Sequence, residues 1–179
     1  MYDKNGSALR CKLFPSDKFY EIQLYFLGGI KYNGASDISE FFRKNGENQM
    51  EQIWKEMFQA ARAVQNGRQI SEYVEAGGVA AAILSSSGKI YTGVCVDTCS
   101  TLGICAERNA IFNMITNGEQ EIEKVLAIMP NGKAGAPCGA CRELMVQLMP
   151  HSYQKIEILL DYDAEKIITL GELTPEWWI

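Results

Sequence analysis

Histidine is almost missing: His151 is the only one among 179 residues. A His-rich zinc site therefore cannot be assembled from this chain. Positive charge is also short. Lys and Arg number 17 against 22 Asp and Glu, leaving a net charge of −5, and neither sign gathers into a block. Proteins that track a phosphate backbone carry a basic stripe, so nucleic acid is not expected as a partner. The longest apolar stretch, about Ile22 to Ile30, is too short and too interrupted to span a bilayer. The opening residues Met1-Tyr2-Asp3-Lys4-Asn5-Gly6 lack a basic segment followed by an apolar run. No signal peptide and no membrane association are expected. Internal repeats and low-complexity tracts are absent too. Six cysteines in such a chain point to thiols kept reduced in the cytoplasm.

What is present suits a single domain with an extension: the length fits, and 47% hydrophobic residues suffice for a core. Two stretches carry the chemistry. Cys105-Ala106-Glu107-Arg108 is answered by Pro137-Cys138-Gly139-Ala140-Cys141-Arg142. Cys138 and Cys141 form a Cys-x-x-Cys pair able to clamp one metal through two thiolates, and Cys105 supplies a third. Three protein ligands with a fourth position left for water describe a catalytic zinc site. Glu107 is placed beside the metal-bound water, not on the metal, where a carboxylate can relay a proton. Hydroxide attack with proton relay is the chemistry of hydrolytic deamination. A Cys-x-x-Cys redox pair or half of a zinc knuckle explains Cys138 and Cys141 alone, but neither requires Cys105 or Glu107. Both motifs read as helix starts, where free N–H groups and the helix dipole favour thiolates. Three thiolates on one Zn²⁺ leave a negative centre. Arg108 and Arg142 are expected to hydrogen-bond the sulfurs and offset that charge.

Along the chain, residues 1–48 read as an N-terminal extension. Leu9 to Phe14 and Phe19 to Tyr32 are expected strands, and Ser36 to Phe42 a short capped helix. From Gln49 to Asn66, Met50, Ile53, Trp54, Met57, Phe58, Ala61 and Val64 recur at helical spacing, with Gly67 as the expected C-cap. Val79 to Leu84 and Lys89 to Val96 read as a hairpin of buried strands. Helices are expected from about Ala106 to Asn117 and from Gly139 to Met149. Strands are expected at Lys124 to Met129, Ile156 to Leu160 and Ile167 to Leu170, followed by a helix-free tail ending in Trp177-Trp178-Ile179. This order is an α/β arrangement.

The segments Cys105-Ala106-Glu107-Arg108-Asn109-Ala110-Ile111 and Pro137-Cys138-Gly139-Ala140-Cys141-Arg142 resemble the small zinc-dependent cytidine deaminases, a family that includes the blasticidin-S deaminases. The resemblance runs from about Gln49 to Pro175 and is specific at the two motifs. It makes residues 49–179 a cytidine-deaminase-like zinc domain. It implies a three-layer fold, a mixed five-strand sheet with helices on both faces. The implied reaction is attack at C4 of a cytosine-like ring, with Glu107 protonating N3 and then the departing amine. The backbone N–H of Ala106 is a partner for the ring's exocyclic oxygen. The family credits arginines at the Arg108 and Arg142 positions with contacting the ligand sulfurs. Its members are commonly tetramers, so a homo-oligomer, tetramer or dimer, is expected, and Trp177 and Trp178 suit a subunit contact.

The match departs in the substrate-binding groups. The family's nucleoside enzymes carry an Asn-x-Glu pair that grips the ribose. Here Cys95-Val96-Asp97 occupies those positions: Asp97 can accept a ribose hydrogen bond, while Cys95 is a weak substitute for an amide. The connection to Cys105 is about one residue shorter. The aromatic that packs on the pyrimidine is missing before Val79, with Tyr73 or the N-terminal extension as replacements. The favoured substrate is a free cytosine nucleoside or related aminopyrimidine. A blasticidin-S-type deaminase, a deaminase of bases in RNA or DNA, and a non-catalytic zinc or nucleoside-binding module are the alternatives. Nucleic-acid deaminases usually place His at the Cys105 position.

Overall fold

A computed structural model describes residues 52–178. The strands expected within Leu9–Phe14 and Phe19–Tyr32 and the helix from Ser36 lie outside the described residues. So do Met50 and the start of the first helix.

The sheet is organised on β2 (Val74–Ser85). Its run Ala80-Ala81-Ala82-Ile83-Leu84 is buried throughout, because helices cover both faces. Ala81 and Ile83 face one core, while Ala80, Ala82 and Leu84 face the other. Small alanines on both faces let the helices approach closely. The second face is covered by α1 (residues 52–64), which buries Trp54, Met57 and Ala61. The first is covered by α2 (Ala106–Thr116) and α3 (Gly139–Leu148), with Ile111, Met114 and Met145 fully buried. Each such side chain contributes roughly 1.5–3 kcal/mol of transfer free energy.

β2 pairs antiparallel with β3 (Ile90–Thr98) along one edge. Along the other it pairs with β4 (Ile122–Ile128), and near its start with β1 (Arg68–Ser71). β4 runs parallel to β5 (Glu157–Asp161), which pairs antiparallel with β6 (Lys166–Thr169). The result is a mixed, six-stranded sheet with helices on both faces. The five expected strands are present, and β1 is the addition. The outer edge of β3 is covered: Val96 pairs with Ile104, and the Asn109 and Asn113 side chains donate to the carbonyls of Val94 and Thr92. This satisfies the backbone groups that an edge strand otherwise presents.

Several boundaries differ from expectation. Gly67 does not cap α1. The helix ends at residue 64, and the Gln65 side-chain amide Nε2 donates to the carbonyls of Gly78 and Met129. The tail is not helix-free. Leu170 leaves the expected strand to begin α4 (Leu170–Leu173), started by a reciprocal capping box between Thr169 and Glu172. Between Ala76 and Ala80, β2 bulges opposite Val94–Val96. Gly77 supplies the left-handed turn there (φ 84°), where a Cβ would lie 2.1 Å from the Asn66 carbonyl oxygen.

Candidate active site

Both ligand-bearing segments sit where a strand-side loop turns into a helix packed on the first face of the sheet. Cys105 is the N-cap of α2 and Cys138 the N-cap of α3, each with extended backbone and no side-chain cap. Cys141 follows in the first turn of α3 and is fully buried. A sulfur at an N-cap lies among the unpaired N–H groups of the first helical turn. At Cys138, burial pushes the thiol up, but the N–H groups of Cys141 and Ala140 and the neighbouring thiols outweigh it and hold it below the usual range.

The three sulfurs converge. Cys105 Sγ lies 3.4 Å from Cys138 Sγ, and Cys138 Sγ lies 3.5 Å from Cys141 Sγ. All three fall within 4.8 Å of one another. Tetrahedral zinc with Zn–S bonds of about 2.3 Å separates its sulfurs by about 3.8 Å, so a few tenths of an ångström of opening accommodates the ion. The expectation that both helix starts favour thiolates holds at Cys138 but not at Cys105, where burial outweighs the helix N-terminus. Burial and the neighbouring Cys138 push Cys105 up, and burial together with the Glu107 charge pushes Cys141 far up. A cation among the sulfurs would reverse both. The donor set therefore fits zinc.

Glu107 is 4% exposed, in the first turn of α2. Burial raises its carboxyl above the usual range, against the pull of its own N–H, the Cys141 thiol and the Arg108 charge. A carboxyl moved toward neutrality is suited to carry a proton in both directions. Arg108, one turn beyond Cys105, reaches Cys105 Sγ with Nη2 at 3.9 Å. Its buried Nε makes no hydrogen bond among the described residues. Arg142 does not take the place expected of it. It follows Cys141 by one residue, so its side chain leaves the helix about 100° away from the thiol. Its Nε donates to the Pro137 carbonyl (2.9 Å) and its Nη1 to the Leu173 carbonyl (3.0 Å).

Several of these groups, though not Cys141 or Arg142, line a cavity of about 390 Å³, within the range of small-molecule sites. Cys105, Cys138, Glu107, Ala106 and Arg108 form one side, and Cys95 and Asp97 of β3 another. Cys95 is not free to face a ligand as an amide would. Its sulfur accepts the Val79 N–H at 3.2 Å, inside the β2 bulge. Asp97 is exposed. Tyr73 does not line the cavity and is 62% exposed. The apolar walls instead include Val79, Ile104 and Met129, which sequence reasoning missed because none belongs to a motif. Trp177 and Trp178, expected at a subunit contact, both donate their indole N–H to Glu143 of α3.

Comparison with known proteins gives a consistent picture. Residues 50–154 match the family described as the cytidine and deoxycytidylate deaminase zinc-binding region. The chain is 32% identical over 98 residues to a cytidine deaminase of Halalkalibacterium halodurans, covering 54% of this chain and 74% of that one. It is 28% identical over 107 residues to a blasticidin-S deaminase of Bacillus cereus, again covering 54% and 74%. The crystal structure of cytidine deaminase from Mycobacterium leprae superposes with a TM-score of 0.56 at 27% identity, covering 69% of this chain and 98% of that one.

Proposed function

The chain belongs to the cytidine and deoxycytidylate deaminase family, and from that membership we propose how its own residues divide the reaction. The protein is a zinc-dependent hydrolase that removes the amino group of a cytosine nucleoside and releases ammonia. Cys105, Cys138 and Cys141 hold the ion. When bound, zinc supplies Lewis-acid activation of water at neutral pH. Glu107 takes a proton from the attacking water and places it on ring N3. It then takes the proton of the hydroxyl added at C4 and delivers it to the exocyclic nitrogen as the C–N bond breaks. The water oxygen remains as the C4 carbonyl, and ammonia departs.

The backbone N–H of Ala106, at the start of α2, holds the ring's exocyclic oxygen. Val79 and Met129 pack on the ring, Asp97 accepts from a sugar hydroxyl, and Cys95 lines the sugar end of the cavity. Arg108 offsets part of the thiolate charge. The observation that carries this reading is the convergence of three sulfurs, two of which, Cys105 and Cys138, line one cavity together with the buried Glu107 carboxyl. We further read the protein as a cytoplasmic homo-oligomer. Thiolate ligands need a reducing compartment, and the exposed Phe112 and Ile115, three residues apart on α2, suit a subunit contact. No helix among the described residues is long and apolar enough to cross a membrane.

The test is ammonia release by the zinc-loaded protein from cytidine, deoxycytidine, cytosine, blasticidin S and adenosine. Release is expected from cytidine or deoxycytidine. Glu107→Gln should keep zinc and lose at least about 100-fold in kcat. Stoichiometric zinc with no release from any compound would refute the reading. Release from blasticidin S alone would move the substrate.

A further inference from the structure

The loop that delivers Cys138 has little backbone support at its end. Between Gly135 and α3, Pro137 O is held by Arg142 Nε at 2.9 Å. The same guanidinium reaches Leu173 O with Nη1 at 3.0 Å. One side chain thus ties the residue before a ligand to the end of α4. The next residue continues the tie: Glu143 accepts from Trp177 Nε1 at 3.0 Å and from Trp178 Nε1 at 3.0 and 3.1 Å. Thr174 between them is 3% exposed, and its hydroxyl donates to Leu170 O at 2.6 Å. Trp177 packs against the core that contains Cys141 and Met145. The segment 173–178 therefore grips α3 at the two residues that directly follow Cys141.

We propose that Arg142 and Glu143 lock this segment against the first turn of α3, and that the lock holds Cys138 and Cys141 at the spacing that retains zinc. Both are positioning residues. They touch neither the ion nor the substrate. The inference rests on the zinc reading above and gives Arg142 a role other than charge compensation at a sulfur. It also assigns the paired indoles a function within their own chain.

The experiment is zinc transfer from the loaded full chain to a colorimetric chelator, followed alongside the thermal midpoint. Arg142→Gln and Glu143→Ala should release zinc about 10- to 100-fold faster, the range seen when groups supporting metal ligands are removed. Glu143→Gln keeps one carbonyl acceptor and should fall between. Trp178→Phe, at a residue 71% exposed, removes one indole donor without disturbing the core, so it tests the lock even where Arg142→Gln does not fold. Its release should rise by a smaller factor. Met57→Ala, at a fully buried residue of α1 on the opposite face of the sheet, lowers stability and should leave release unchanged. Cobalt(II)-loaded Arg142→Gln should show shifted ligand-field bands. Release rates equal to wild type, or rising only in proportion to lost thermal stability as in Met57→Ala, would overturn the lock. A wild-type chain that takes up no zinc would overturn the zinc reading with it, whereas stoichiometric uptake with unaltered variant release overturns the lock alone.

Discussion

Gly93→Ala should damage the active site from beneath it. Gly93 lies in β3 opposite Ala81 and under the first turns of α2. A Cβ there would fall 2.3 Å from Ala110 N, 2.7 Å from Ala106 O and 2.8 Å from Asn109 C. All three are backbone atoms of one helix, so no side chain can rotate to make room. Restoring ordinary contact requires α2 to retreat by roughly 1 Å, a case of overpacking whose cost sits at the upper end of the usual range, about 3 kcal/mol. For a chain of this size that lowers the thermal midpoint by roughly 6–12 °C.

The functional effect follows from what α2 carries. Cys105 and Glu107 ride at its start, while Cys138 and Cys141 belong to α3. Moving one helix separates the ligand set and shifts the proton carrier. A displacement of 1 Å can cost about 100-fold in rate. The assay combines a thermal melt, zinc content and kcat on cytidine. Gly88→Ala is the control: φ is 82° in the β2–β3 turn, with nothing within 4 Å of its Cβ. It should cost about 1 kcal/mol from backbone strain and leave kcat intact. If Gly93→Ala behaves like Gly88→Ala in melt and rate, the claim that β3 seats the ligand-bearing helix is wrong.

Cys141→Ser should fold but bind zinc at least about 100-fold more weakly, because a buried hydroxyl is a poor replacement for a thiolate; equilibrium dialysis measures this, and undiminished affinity would remove Cys141 from the ligand set. Asp97→Asn should raise KM for cytidine roughly 10-fold or more with little change in kcat, since it loses a charge-assisted hydrogen bond to the sugar; an unchanged KM would free Asp97 of that role. Glu119 is held at about 2 by the Lys89 ammonium first, and then by the Ser85 and Ser87 hydroxyls. Its folded value lies below its ordinary one, so its stabilisation is fully present above about pH 4.5 and disappears as pH falls through about 2. Urea melts of Glu119→Gln should therefore show a deficit against wild type at pH 7 that narrows between pH 5 and 2, and a deficit independent of pH would contradict the assignment.

The parts of this molecule that were legible in its sequence are those specified locally. Cys138 and Cys141 are three apart at a helix start, so one turn of α3 brings them together. The apolar spacing of Trp54, Met57 and Ala61 likewise marks α1 without knowledge of its partner. What was not legible depends on segments meeting. Gly77-Gly78 breaks the apolar pattern of residues 74–79 and hides the first half of β2. Its pairing with β1 follows from a bulge and a left-handed glycine, not from alternation. Thr169 and Glu172 start a helix only four residues long, too short for periodicity to register. The partners of Arg142 were missed because the Leu173 carbonyl arrives from 31 residues away. Met129 and Val79 become cavity walls through the register of β4 against β2, which no motif encodes.

That division explains why reaction chemistry and substrate choice are separable here. The reaction needs three sulfurs and a carboxyl, all carried on the first turns of two helices that the sheet fixes. In the proposed reading substrate choice belongs to β3 and to the bulge beside it. At Cys95 the two meet: the bulge turns the Val79 N–H toward the strand, and a sulfur accepts it at 3.2 Å. A side chain whose sulfur is engaged by its own backbone neighbour has less to offer a sugar, which leaves Asp97, exposed and acceptor-only, as the polar group of β3 that faces the cavity. If Asp97 meets the sugar as proposed, that end of the site selects for a hydrogen-bond donor and offers no matching donor of its own from β3. In the proposed reading the ring end, with Glu107, the Ala106 N–H and the zinc ligands, still selects for an amino group on a pyrimidine.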